Sequence, residues 1–158
     1  MTATSDHVTL RDDLVRVFGQ RLIDPIATLL PDDPEISRLR HRLQIEAEVW
    51  AAQLLGRDDA LAERVARQLV AALHPAGEPF EPPESWWRTP FGRAVARRVG
   101  HPSTTHVSFS VAGAMLGISR QGVHDLVTRG KLDRHPDGGV STDSIRDRLA
   151  GRRHVHAR

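Results

Sequence analysis

Apolar residues recur with the period of about 3.6 expected of amphipathic helices through most of residues 9–73, and the phase restarts at recognisable breaks. Thr9 is a capping residue, and Leu10, Leu14, Val17, Phe18 and Leu22 follow at helical spacing until Asp24-Pro25 predicts an end near Ile23. The next stretch, "IATLL", reads as a short turn. Asp33 then caps a stronger pattern with Pro34 at its first position, in which Ile36, Leu39, Leu43, Ala47, Trp50 and Leu54 form one stripe before Gly56. Asp58 or Asp59 opens another helix with Leu61, Val65, Leu69, Val70 and Leu73 inward, and His74-Pro75 stops it. Residues 1–78 are therefore expected to form a small helical bundle.

Periodicity then lapses. "HPAGEPFEPPES", residues 74–85, carries four prolines and one glycine and reads as a stiff linker. "SWWRTPFGRAVARRVG" follows as a short helix with Thr89 as cap and Pro90 at its first position, Val95 and Val99 facing one way and Arg93, Arg97 and Arg98 largely another. Residues 79–100 thus comprise a linker and a short basic helix. The adjacent Trp86 and Trp87 read as a clamp between two domains, with an exposed partner site as the alternative.

Residues 101–158 contain two short amphipathic segments around a glycine, "SVAGAMLGISRQGVHDLVTRGKL". Ser108 or Ser110 caps a helix holding Val111, Ala112, Met115 and Leu116. Gly117 supplies the positive φ of a sharp turn, Ile118 plugs it, and Ser119 caps a second helix. In that helix, residues 119–130, Val123, Leu126 and Val127 point inward, Arg120, Gln121, His124 and Thr128 point outward, and Gly130 closes. A bracing helix, a tight turn and a short helix with polar residues at its start is the pattern of a helix-turn-helix reader of the DNA major groove.

The stretch "VSFSVAGAMLGISRQGVHDLVTRGKL" resembles the excisionase and MerR-type winged helix-turn-helix family. The likeness lies in the small pair Ala112-Gly113, the turn Leu116-Gly117-Ile118-Ser119, the buried Val123, Leu126 and Val127, and the exit Gly130 to Leu132. It implies a hairpin wing in "DRHPDGGVSTDSI", turning at Gly138-Gly139, and a last helix begun by Thr142 or Asp143 and running through Ile145 and Leu149. The expected fold is thus mainly α: an N-terminal helical bundle, a Pro-rich linker, and a C-terminal winged helix-turn-helix domain with a short β-hairpin wing.

Charge sharpens this picture. The net charge of +2 conceals nine arginines against fifteen acidic residues in 1–85, a net −6, and thirteen basic against five acidic residues in 86–158, a net +8. Segregation of this kind suggests a polyanion-binding end joined to an acidic end with another task. The chain has no cysteine, which removes disulfides, thiolate nucleophiles and cysteine-ligated metals. With no membrane-length apolar run and no signal-like N-terminus, a soluble, cytoplasmic protein is expected. No nucleophile, base and orienting group come together by motif, so no enzyme is expected.

Arg120 and Gln121 are the candidate base readers, because guanidinium pairs with guanine O6/N7 and carboxamide with adenine N6/N7. His124 can donate to a base or phosphate, the amides around Ser119 can bind phosphate, and Thr128 lies on the same exposed side. Arg129, Lys131 and Arg134 are candidate phosphate contacts, and the basic tail "GRRHVHAR" could add sequence-independent attraction. The glycine spacing of "GISRQGVH" lacks the lysine and hydroxyl of a phosphate-binding loop. His154 and His156 lack a third metal ligand, and Asp32-Asp33 and Asp58-Asp59 read as helix caps, so neither metal nor cofactor is expected. The leading function is a sequence-specific regulator of double-stranded DNA, a homodimer through its N-terminal bundle. The alternative is an antitoxin-like or phage excisionase-like accessory protein whose bundle grips a protein partner.

Overall fold

A computed structural model of the chain describes residues 3–74 and 76–151; the tail "RRHVHAR", with His154 and His156, lies outside them. The chain divides into two units, Met1–Ala76 and Gly77–Arg158. Among the described residues it is mainly helical, with a small two-stranded antiparallel sheet.

The first unit holds α1 (Ala3–Phe18), α2 (Asp24–Leu29), α3 (Pro34–Leu55) and α4 (Asp59–Leu73). Thr9 does not cap α1: the helix is already under way, and the Thr9 hydroxyl donates to the Ser5 carbonyl at 2.8 Å. Nor does Asp24-Pro25 end it. One widened π-type turn, Gly19–Ile23, carries α1 into α2, with the Asp24 amide reaching back to the Gly19 carbonyl. Pro25 has no amide to give, and it falls in the first turn after the ladder has slipped by one residue, where a missing donor disturbs least. "IATLL" accordingly continues as helix for most of its length.

Asp33 and Asp58 are the caps of α3 and α4; their carboxylates accept from the Glu35 amide at 2.9 Å and the Leu61 amide at 3.0 Å. Leu10, Leu14 and Phe18 of α1 pack inward with Leu43, Ala47, Ala51 and Leu54 of α3, and α4 adds Ala62, Val65, Ala66 and Leu69. The expected α3 stripe drifts: Leu39 is exposed, Ile36 and Trp50 are half-buried, and Ala51 is fully buried instead. Alanines at these seams let helix backbones lie close together. Glu48 ties α1 to α3, accepting from His7 Nε2 at 2.6 Å and Arg11 Nη1 at 2.7 Å. Those hydrogen bonds, His7 first and Arg11 second, hold its carboxyl below the usual carboxylate range. Arg40 of α3 likewise meets Asp24 of α2 at 2.8 Å. All the large hydrophobic residues left exposed among the described residues lie in this unit, Leu22, Ile26, Leu29, Leu30 and Leu39 among them.

The second unit begins inside the expected linker, which is not a free spacer. Phe80 is buried and its ring meets Trp86 edge-on at 5.0 Å and Trp87 at 6.0 Å; Trp86 meets Phe91 at 5.5 Å and Trp87 meets His101 at 5.3 Å. The two tryptophans therefore build the core of their own unit. Edge-to-face packing lets these rings bury area that the short flanking helices lack. Thr89 caps α5 (Pro90–Arg98), as expected, accepting from the Gly92 amide at 3.0 Å. Next come β1 (His106–Val107), α6 (Phe109–Leu116), α7 (Arg120–Thr128), β2 (Val140–Ser141) and α8 (Thr142–Leu149). β1 and β2 pair antiparallel, His106 opposite Ser141 and Val107 opposite Val140. Ser141, rather than Thr142 or Asp143, caps α8. Thr142 is buried and spends its hydroxyl on the Thr104 carbonyl at 3.1 Å. No helix among the described residues is long and apolar enough to cross a membrane.

Burial pushes the His101 imidazole down to about 4, against an ordinary histidine value of about 6.5. Its Nδ1 accepts the Ser103 amide at 3.2 Å, an acceptor role that only the neutral ring can play. Because the folded-state value lies below the unfolded one, this contribution is complete above about pH 6.5 and is lost as pH falls towards 4, where the unfolded chain takes up a proton the folded chain refuses. Thermal melts across that interval should fall more steeply for the native chain than for His101→Gln. Equal slopes would show that His101 protonates freely in the fold.

Candidate nucleic-acid interface

The candidate surface is built on α6, α7 and the turn between them. Ser108 caps α6, its hydroxyl accepting from the Val111 amide at 3.2 Å. Gly117 ends the helix at φ 71° and ψ 28°, a left-handed conformation that glycine adopts without steric penalty. The chain then folds back so closely that the Ile118 amide donates to the Gly113 carbonyl at 2.9 Å. A Cβ on Gly113 would stand 2.8 Å from the Ile118 carbonyl oxygen. The small pair Ala112-Gly113 thus has a physical reason: Ala112 is fully buried, and Gly113 is where turn and helix meet backbone to backbone.

Ser119 caps α7, accepting from the Gly122 amide at 3.0 Å. Val123 is fully buried against the bracing helix, whereas Leu126 and Val127, expected beside it, are only half-buried. Leu132 closes the far end of the core at 2 % exposure, and the Lys131 amide returns to the Leu126 carbonyl at 2.8 Å. The helix has nine residues, so at about 1.5 Å per residue it spans roughly 14 Å, comparable with the width of a major groove of about 12 Å.

Ser119, Arg120 and Gln121 are exposed together at the start of this helix, Thr128 lies near its end, and Arg129, Lys131 and Arg134 are exposed beyond it. Gln121 Nε2 donates to Asp125 Oδ1 at 3.2 Å, which steadies the carboxamide and leaves one N–H and the oxygen available. His124 is placed differently from its neighbours. Its ring is half-buried and stacked on Phe109, with centroids 4.3 Å apart and planes 14° apart. Arg134 lies over the same phenyl ring, 5.6 Å from the centroid. Phe109 therefore seats α7 and Arg134 on the start of α6. No periodic signal in the sequence marks Phe109 for this role, whereas the pairing of Gln121 with Asp125 follows the four-residue step of a helix.

Beyond Leu132 the chain makes a tight reversal. Arg134 bridges to Val140, the Gly138 amide donates to the His135 carbonyl at 3.0 Å, and the His135 amide donates to the Gly139 carbonyl at 3.1 Å. Gly139, at φ 72°, lies so near β1 that a Cβ would sit 2.2 Å from the Val107 carbonyl oxygen. This contact also brings His106, His135 and Asp137 together, a grouping without any periodic signal in the sequence. "GISRQGVH" is the turn and start of α7, so its glycines serve folding.

Two substitutions probe the turn. Gly113→Ala would gain about 1 kcal/mol from helix propensity alone, yet overpacking against a carbonyl costs about 1–3 kcal/mol. Denaturant unfolding of the full chain should show net destabilisation, and unchanged or raised stability would contradict the close approach. Ser119→Ala should lose about 0.5–2 kcal/mol through the vacated cap.

No family model, no curated protein and no solved structure matches this chain.

Proposed function

We propose that this chain is a sequence-specific double-stranded DNA-binding protein, a transcriptional regulator whose α7 reads the major groove. The observation that carries the reading is the Ser119-capped start of α7, where Arg120 and Gln121 stand exposed side by side on a helix held by a backbone-tight turn. The resemblance of residues 107–132 to excisionase and MerR-type winged helix-turn-helix proteins supports it, as does the net charge of +8 over residues 86–158. On this reading the reversal at 133–141 is the wing.

The roles divide by position. Arg120 reads guanine, and Gln121, steadied by Asp125, reads adenine with its remaining N–H and oxygen. The Ser119 region and Thr128 lie within reach of phosphates, and Arg129, Lys131 and Arg134 hold the backbone without reading it. His124 contributes by stacking on Phe109, which sets the rotation of α7 in the groove.

One such helix reads one half-site, and a symmetric dimer reads two. The first unit offers the surface for it. Leu22, Ile26 and Leu29 recur at steps of four and three along the α2 side, and Leu29 is 78 % exposed. On this reading a second copy covers that face, because lone exposed leucines are ordinary but a row of them marks an interface.

Arg120→Ala and Gln121→Ala should each lose about 1–3 kcal/mol on a selected cognate site while nearly sparing random DNA. Arg129→Ala and Lys131→Ala should weaken both alike and flatten the salt slope by about one unit each. Fluorescence anisotropy on both DNAs over a salt series checks this; uniform losses across all four variants would remove α7 from the groove.

Sedimentation of the full chain should show a dimer that Leu29→Glu or Ile26→Glu converts to monomer. A native chain that is monomeric both free and on DNA would favour the accessory-protein reading, with another protein on the α2 face.

A further inference from the structure

We propose that His106, His135 and Asp137 form a binding site for a divalent transition-metal ion, fastening β1 to the reversal that follows α7. The inference does not depend on DNA binding.

His106 lies in β1, and His135 and Asp137 lie in the tight reversal, so the group joins segments about thirty residues apart in sequence. One donor atom from each falls within 4.8 Å of the other two. The imidazole centroids of His106 and His135 are 4.6 Å apart, their planes 24° apart. His106 Nδ1 is buried and has no hydrogen-bond partner among the described residues. A buried ring nitrogen without a partner is costly: its lone pair calls for a donor or a metal, or its proton for an acceptor, that the described residues do not supply.

His135 is oriented as metal-bound histidines are. In the tautomer protonated at Nε2, that nitrogen donates to Thr105 Oγ1 at 3.2 Å, and Nδ1 is left as a lone pair. Nδ1 now accepts the Asp137 amide at 3.1 Å and stands 3.9 Å from Asp137 Oδ2. Metal–ligand bonds of about 2.0–2.1 Å arranged tetrahedrally put donors about 3.3 Å apart. Closing to that spacing shortens the donor separations by about 1.5 Å at most, and the near-parallel rings must also turn so that their in-plane lone pairs converge. Asp137 is the group free to move, its side chain 78 % exposed, and a metal would replace its amide at Nδ1.

The donor set names the class of ion. Two imidazoles and one carboxylate suit zinc, nickel, cobalt or copper(II), whereas magnesium and calcium prefer oxygen ligands alone. Water fills the remaining positions. Without cysteine, a tight site in this chain has only histidines and carboxylates to draw on.

The test titrates the full chain with cobalt(II), reading visible d–d absorption, and with zinc(II) by calorimetry. One equivalent per chain is expected. Loss of an outer-shell partner alone weakens metal binding about 10–100-fold, so His135→Ala and Asp137→Ala should each weaken it more than tenfold. Circular dichroism checks that His135→Ala is folded; if it is not, Asp137→Ala decides, since its side chain is exposed. A variant carrying His154→Ala and His156→Ala should bind as the native chain does. Absence of saturable binding, undiminished affinity in Asp137→Ala, or loss of binding on substituting only the tail histidines would each overturn the proposal.

Discussion

The second unit depends on one contact, the approach of the Ile118 backbone to Gly113. The Ile118 amide donates to the Gly113 carbonyl at 2.9 Å, and no side chain fits between the two strands of backbone. That closeness, with Gly117 in the left-handed region, sets the angle at which α7 leaves α6. It also delivers Ser119 to the cap position and Val123 to the core. Everything displayed on α7 inherits its direction from a hydrogen bond and a missing methyl group.

The two units reach stability by different means. In the first, long helices close on alanine and leucine seams and are cross-tied by polar contacts such as those of His7 and Arg11 with Glu48. Exposed pairs of this kind contribute little each, being screened by solvent, so burial carries the bundle. In the second, helices of eight or nine residues cannot bury much on their own. Phe80, Trp86, Trp87 and Phe91 supply that area from a segment rich in proline. Among the described residues the large exposed apolar side chains all lie in the first unit.

At the surface of α7 the side chains do not act independently. Asp125 restrains Gln121, Phe109 holds both His124 and Arg134, and Arg120 stands exposed at the first turn. Gln121, His124 and Arg134 are thus oriented by neighbours that would not touch a ligand themselves. The reversal beyond α7 is held in the same way, since Gly139 abuts β1 and brings His135 to His106.

Much of the local structure was legible in the sequence, because caps and glycine stops act through neighbours a few residues away. Asp33, Thr89 and Ser119 cap where their spacing predicts, and Gly117 turns the chain where the small pair and the following serine predict. Local rules misled where a longer-range term won: Asp24-Pro25 reads as a stop, yet a widened turn carries the helix through it. The linker reads as a spacer because prolines abolish periodicity, but Phe80 and the tryptophans find a common core only when the chain folds back. The stack of His124 on Phe109 joins residues 15 apart, and the grouping of His106 with His135 joins residues 29 apart. The sequence by itself determined most of the helices, the caps at Asp33, Thr89 and Ser119 and the tight turn, since those depend on backbone hydrogen bonds counted in single turns. Only the tertiary structure decided which side chains share a surface, because that follows from packing between segments whose separation in sequence carries no period.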